Sequence, residues 1–431
     1  MRAMITPFNL SIVGMAFSLI TFTAQAEETL EDAWNQALTV NHNLNSVRQA
    51  TAGSQQQLKA AESAYLPNVE LEAGYRVLDN EPALKATLGG GAAEIPLAGK
   101  DSLSYKVMAT LPLYTSGLIS NNIDAASSAL KASKANEQSK ILNLKLKISE
   151  AFIGVLRAKQ GLEVATSHVS SLKLHVSDAR SMYDQGKVAR NDLLAAQVAL
   201  ANARQQKSKA QNMLDLARSN YNYLLGRPLY QEVSLSDIHA DVLTESLKVM
   251  TGRALSQRSE LQALTNNVQA LQHKASGIRA AAGPQIGLTG GYNYEQNQYQ
   301  VFEEQWIVAV GVKWKLFDGG MTNHQASAVD HQATSMEEKF KDLTFAISLQ
   351  VRKSWLDVRE SRNRVEVTKA AIVQAKENYK VTRDRYERGL SRSSDVLDAE
   401  TLRIQSQSNL ANARYDLLQA SLSLKHAMGE L

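Results

Sequence analysis

The chain of 431 residues contains no cysteine. That excludes a disulfide scaffold, a cysteine-based metal centre and a lipidated N-terminal cysteine. Proline is scarce, at 7 residues, and aromatic residues make up only 6%; this composition favours long helices. An excess of one charge is also missing. Lys and Arg number 47 against 43 Asp and Glu, interspersed, for a net charge of +4, which argues against a nucleic-acid-binding surface. Beyond the N-terminus no apolar run reaches about 18 residues, so no spanning helix is expected. The mature chain is then either soluble or enters a membrane as β-strands.

Catalytic signatures are absent too. No GxSxG, P-loop, HExxH or dinucleotide-binding pattern stands in a suitable context. His168 and His175 share a helix face, as do His324 and His331. Seven helical residues separate each pair by roughly 10 Å, too far for one metal ion. No enzyme, cofactor or metal site is expected.

What is present begins with an export signal. Arg2 supplies a positive start, Leu10 to Phe22 is mostly apolar, and Ala24-Gln25-Ala26 is a small-x-small cleavage site. The expectation is a signal peptide over 1–26, cut between Ala26 and Glu27.

The rest is a duplication. Ala37, Leu44, Pro67 and Tyr75 recur as Ala254, Leu261, Pro284 and Tyr292, an offset of 217. From Leu113 and Leu316 to Gly226 and Gly429 the offset is 203, without a gap. The first half therefore carries an insertion between Tyr75 and Leu113. Pro82, Gly89-Gly90-Gly91 and Pro96 make that insertion read as a long loop. The repeats are placed at 27–226 and 251–431, joined by 227–250.

Each repeat holds two alternating strands, expected at about 67–78 and 103–115, then about 284–296 and 304–317. Val69, Leu71, Ala73 and Tyr75 face one way; Glu70, Glu72 and Arg76 face the other. Strands of about 10 residues cross a bilayer when tilted, and Tyr105, Trp306, Trp314 and Phe317 fall where an interfacial girdle would. Four strands cannot close a membrane barrel, since about 8 is the smallest closed number. Other copies must complete it, two or three in all. The long helices carry heptad seams, such as Ile148, Phe152, Val155 and their twins Val351, Trp355, Val358.

Each long helix breaks at a glycine. Tyr183-Asp184-Gln185-Gly186-Lys187-Val188 leads to Asp192, and Tyr386-Glu387-Arg388-Gly389-Leu390-Ser391-Arg392 leads to Asp395 and Asp398. These tips span about 183–192 and 386–395. Asp192 and Asp395 are either helix N-caps or, repeated around an axis with Asp398, acidic rings that favour cations.

The tip, with Asp395-Val396-Leu397-Asp398-Ala399-Glu400-Thr401 and Asn409-Leu410-Ala411-Asn412-Ala413-Arg414-Tyr415 behind it, resembles the second hairpin of TolC-like outer-membrane efflux proteins. The likeness covers essentially the whole mature chain. It implies a mainly α fold with a membrane β-barrel. A homotrimer would form a twelve-stranded barrel in outer-membrane lipid, continued by an α-helical periplasmic tunnel, with 227–250 in a belt at its middle. It implies a passive exit duct of an efflux or type I secretion system. Its partners would be a periplasmic adaptor and an inner-membrane pump or ABC exporter. Asp192, Tyr386, Asp395 and Asp398 match gate and entrance residues; Gly186, Lys187, Val188, Gly389, Leu390 and Ser391 match the docking tips. Ser391 stands where the family has its gate arginine, with Arg392 the next residue. A periplasmic adaptor or a coiled-coil adhesin are the rival readings; the first would carry one hairpin, the second no strand pairs.

Overall fold

A computed structural model describes residues 27–88, 90–240 and 245–431. The signal peptide and Ala26 lie outside these residues. The elements in chain order are α1 (Leu30–Val40), α2 (His42–Glu62), β1 (Asn68–Val77), β2 (Ala83–Leu88), β3 (Gly91–Pro96), β4 (Asp101–Tyr114), α3 (Leu118–Asp184) and α4 (Arg190–Leu224). The second half runs α5 (Leu247–Gln257), α6 (Ser259–Ala280), β5 (Gln285–Glu295), β6 (Glu304–Lys313), α7 (Met321–Glu387) and α8 (Ser393–Met428).

The helices α3 and α7 have 67 residues each, about 100 Å at 1.5 Å per residue. Among the described residues no helix is long and apolar enough to cross a membrane. Each long helix folds back on its successor, α3 on α4 and α7 on α8, and α3 also packs on α8. The seams are built from the heptad positions: Ile148, Phe152, Val155, Leu214 and Tyr221 are buried in the first half, and Val351, Val358, Leu424 and Ala427 in the second. Phe152 and Tyr221 meet edge to face at 6.0 Å, each fully buried. A buried aromatic of this size contributes roughly 2–3 kcal/mol.

The segment after Gly226 is tied to the start of the chain. Arg227 reaches Glu28 through two contacts of 2.6 and 2.9 Å, and the Glu28 amide donates to the Ser234 carbonyl at 2.9 Å. Val233 and Leu235 then complete the core around Phe152. The helix α5 begins at Leu247, inside the stretch read as 227–250.

One sheet has the order β1-β4-β5-β6, all antiparallel. Its register makes the alternation coherent across strands. Leu71 pairs Val107, Val107 pairs Tyr292, and Tyr292 pairs Trp306. One face therefore carries Val69, Leu71, Tyr105, Val107, Leu288, Tyr292, Trp306, Val308 and Val310. The other carries Glu72, Lys106, Asn293 and Gln305 in one row. Gly291 sits at a close approach: a Cβ there would overlap the Val107 carbonyl oxygen and lie 2.9 Å from the Met108 Cα.

Three expectations need correction. The insertion is not simply a loop: Ala83–Leu88 and Gly91–Pro96 pair as a hairpin, turning at Gly90 with φ 94°. Hydrogen bonding within β2 and β3 recovers the backbone partners that a bare loop would leave to water. The last strand stops at Lys313, so Trp314, Leu316 and Phe317 lie beyond it, exposed. Tyr105 is not terminal; it lies inside β4, stacked on Tyr294 at 4.8 Å.

Candidate functional site: the hairpin tips

The two tips are built alike. At Gly186 (φ 70°) the Lys187 amide donates to the Met182 carbonyl and the Gly186 amide to that of Tyr183, both at 2.8 Å. At Gly389 (φ 74°) the Leu390 amide donates to the Arg385 carbonyl and the Gly389 amide to that of Tyr386, again at 2.8 Å. Both are left-handed helix ends of the Schellman type, which satisfy carbonyls otherwise left open at a helix C-terminus. Gln185, Gly186, Lys187, Arg388, Gly389 and Leu390 project exposed at these ends, with Val188 and Ser391 half-buried.

The aspartates are not the N-cap residues. Those are Ala189 for α4 and Arg392 for α8. Asp192 and Asp395 stand three residues later. Asp395 nevertheless closes the start of α8 from inside the helix, accepting from the Arg392 amide at 3.0 Å and the Ser391 hydroxyl at 2.8 Å. The Arg392 amide, then the Ser391 hydroxyl, hold the Asp395 carboxyl below its usual range. Ser391 is thereby committed to Asp395, and both Asp395 and Asp398 remain exposed. Among the described residues no hydrogen bond or ion pair joins Asp192 to Tyr386, Arg388 or Arg392.

Tyr386 turns inward instead. It is 2% exposed, and its ring lies 5.2 Å from the His175 imidazole. Burial raises the Tyr386 hydroxyl above its ordinary range, and Asp192 adds to the rise through space. His175 Nε2 lies 2.9 Å from the Ser393 hydroxyl oxygen, a hydrogen bond between α3 and α8. Arg383 links α7 to Asp178 of α3 at 3.6 Å. Farther back, Glu400 and Arg403 are paired, and Arg403 reaches Ser171 of α3 at 3.2 Å. Sequence reasoning missed this polar seam. Its one visible trace was the shared helix face of His168 and His175.

The family model for outer membrane efflux proteins matches residues 33–227 and 250–430. The chain belongs to that family. Among its relatives, the outer membrane protein TolC of Vibrio cholerae serotype O1 is 23% identical over 419 residues, covering 94% of this chain and 91% of that protein. The alkaline protease secretion protein AprF of Pseudomonas aeruginosa is 24% identical over 297 residues, covering 67% and 62%. The solved structure of the outer membrane protein VceC from Vibrio cholerae shares the fold, with a TM-score of 0.79 at 17% identity, over 93% of this chain and 96% of that one. As an outer membrane efflux protein the chain is a passive channel of the efflux and secretion class, not an enzyme. It resides in the outer membrane and extends into the periplasm. The adaptor and adhesin readings fall away.

Proposed function

We propose that three copies of this chain, each lending the four strands of its sheet, close a twelve-stranded barrel. The observation that carries this is the sheet itself. It is open at β1 and β6, and its register gathers the apolar side chains on one face. Large apolar side chains on that face are left uncovered: Leu71 is 71% exposed and Trp306 81%. Lipid covers such a face, but an open strand edge in lipid costs several kcal/mol per unpaired group, so neighbouring copies must pair β1 with β6. Cysteines placed on β1 and β6 should cross-link between subunits into trimers in isolated outer membranes. Monomers under the same oxidation would overturn the assembly.

The two repeats, 27–226 and 251–431, then continue as helical hairpins into a tunnel, after removal of a signal peptide at Ala26–Glu27. The hairpin tips form the periplasmic entrance, where the residues from Gly186 to Val188 and Gly389 to Ser391 meet a periplasmic adaptor that joins an inner-membrane pump or ABC exporter. Asp395 and Asp398 ring the entrance and favour cations. Asp192 and Tyr386 bias the tips toward closure, with Arg392 replacing the missing arginine at Ser391. Asp192→Ala with Tyr386→Phe should raise single-channel conductance in a planar bilayer. Unchanged conductance would remove these residues from the gate. Deleting the gene and following a compound panel beside the secreted-protein profile separates efflux from secretion cargo.

A further inference from the structure

Behind the entrance three helices meet at one buried point. His175 of α3 is 4% exposed; Tyr386 of α7 and Ser393 of α8, its two contacts across the seam, are each 2% exposed. The imidazole Nε2 makes its 2.9 Å hydrogen bond to Ser393, and the Tyr386 ring covers it, tilted by 53°. Ser393 is the first residue of α8, and Tyr386 is the penultimate residue of α7. One side chain of the first hairpin thus holds both arms of the second at its tip.

We propose that His175 is the clasp that fastens the second hairpin to the first when the entrance is closed, and that protonation of its imidazole releases it. The inference rests on the tip-gate reading above.

The surroundings of the imidazole decide the sign. Facing it are Asp178 from α3, Arg383 and Tyr386 from α7, and Ser393 and Glu400 from α8. Asp178 already pairs with Arg383, at 3.6 Å. Both oxygens of Glu400 are taken by Arg403 at 2.7 Å. Neither carboxylate is therefore a dedicated partner for an imidazolium. Burial moves the His175 value below the ordinary histidine range, Arg383 lowers it further, and the raising effects of Asp178 and Glu400 do not reverse this. A charge in this slot loses water and gains no counter-ion of its own. With the hairpins apart, water solvates the ring and its pKa returns to about 6.5. The closed form thus binds the proton more weakly than the open one. Closure is fully favoured above about 6.5 and weakens as pH falls from there through the lowered closed-state value. His168, also lowered by burial and facing Glu400 and Arg403, is the neighbouring imidazole whose contribution must be separated from that of His175.

The test uses the full-length trimer in liposomes. The cysteine-free chain accepts nitroxides at Lys187→Cys and Leu390→Cys, one on each tip, and electron–electron distances are taken at about pH 7.5 and about pH 5.5. We expect the short-distance population to be lost at the lower pH and restored on return. In a His175→Phe background, which keeps a ring against Tyr386, and in His175→Gln, should one of the two fail to assemble, the distribution should not depend on pH. A His168→Gln background should retain the shift. Identical distributions at both values in the parent, or a shift that survives in the His175 variants, would overturn the clasp. Conductance is recorded on the same preparations. Tips that separate without a rise in conductance leave the clasp standing and overturn the tip-gate reading instead.

Discussion

The Glu400 carboxylate and the Arg403 guanidinium, one turn apart on α8, form a two-armed pair with both contacts at 2.7 Å, and Arg403 carries it on to the Ser171 hydroxyl of α3. Glu400 is 2% exposed. Arg403→Met would leave that carboxylate buried without a partner, a loss of about 3–5 kcal/mol. Combining it with Glu400→Gln removes the stranded charge and should recover most of the loss. Thermal unfolding followed by circular dichroism, with Glu400→Gln alone completing the cycle, reads the difference; a double-variant loss equal to the sum of the two single losses would mean the pair is not coupled.

The tip glycines are required by conformation, whereas a glycine inside a helix is not. Gly389→Ala forces an L residue to φ 74° and should cost about 1–2 kcal/mol at that helix end. Gly53 lies within α2 with open space where a Cβ would stand, so Gly53→Ala should stabilise by about 0.5–1 kcal/mol. Amide exchange should quicken over 383–390 in the first variant and slow over 49–57 in the second.

Gly291→Val should block closure of the proposed barrel before it affects the helices. Its side chain would overlap the Val107 carbonyl, so β4 and β5 could not keep the register that pairs Met108 with Gly291. The expected outcome is loss of heat-resistant trimers from the outer-membrane fraction with helical content largely retained. Normal trimers would show that the sheet yields at this point.

Acidification acts on Asp395 with a definite sign. Its folded value lies below the ordinary aspartate value because the charged form accepts from Arg392 and Ser391. Its contribution to the start of α8 is therefore complete above about pH 4 and is lost as pH falls through the lowered value. Asp395→Ala should fray the first turn of α8 at neutral pH. Asp395→Asn, which keeps an acceptor, should fray it less and without acid dependence. Exchange of the 393–396 amides, corrected for intrinsic rates, checks this.

The broad fold was legible because its signals are local. Heptad spacing through Ile148 and Phe152, and again through Val351 and Trp355, repeats every three or four residues and predicts a helix whatever it packs on. Alternation through Val69, Leu71 and Tyr75 marks a strand in the same way. The β2–β3 hairpin was missed because the glycines and prolines around it signal a turn, while strand pairing depends on a partner that no single run announces.

Taken by itself, the sequence determined a duplicated plan of long helices broken at Gly186 and Gly389, with strands too few to close alone. Only the tertiary structure decided which side chains meet across the plan. His175 and Ser393 lie 218 positions apart, and their contact follows from how α3 and α8 rotate against each other when packed. Asp395 was readable as an acidic residue near a helix start; that its carboxylate turns back onto Arg392 and Ser391 was settled by the backbone of the tip. Periodicity specifies which face of a helix is buried, but the mutual rotation and register of two such faces come from packing. The polar seam behind the hairpin tips is a product of that packing.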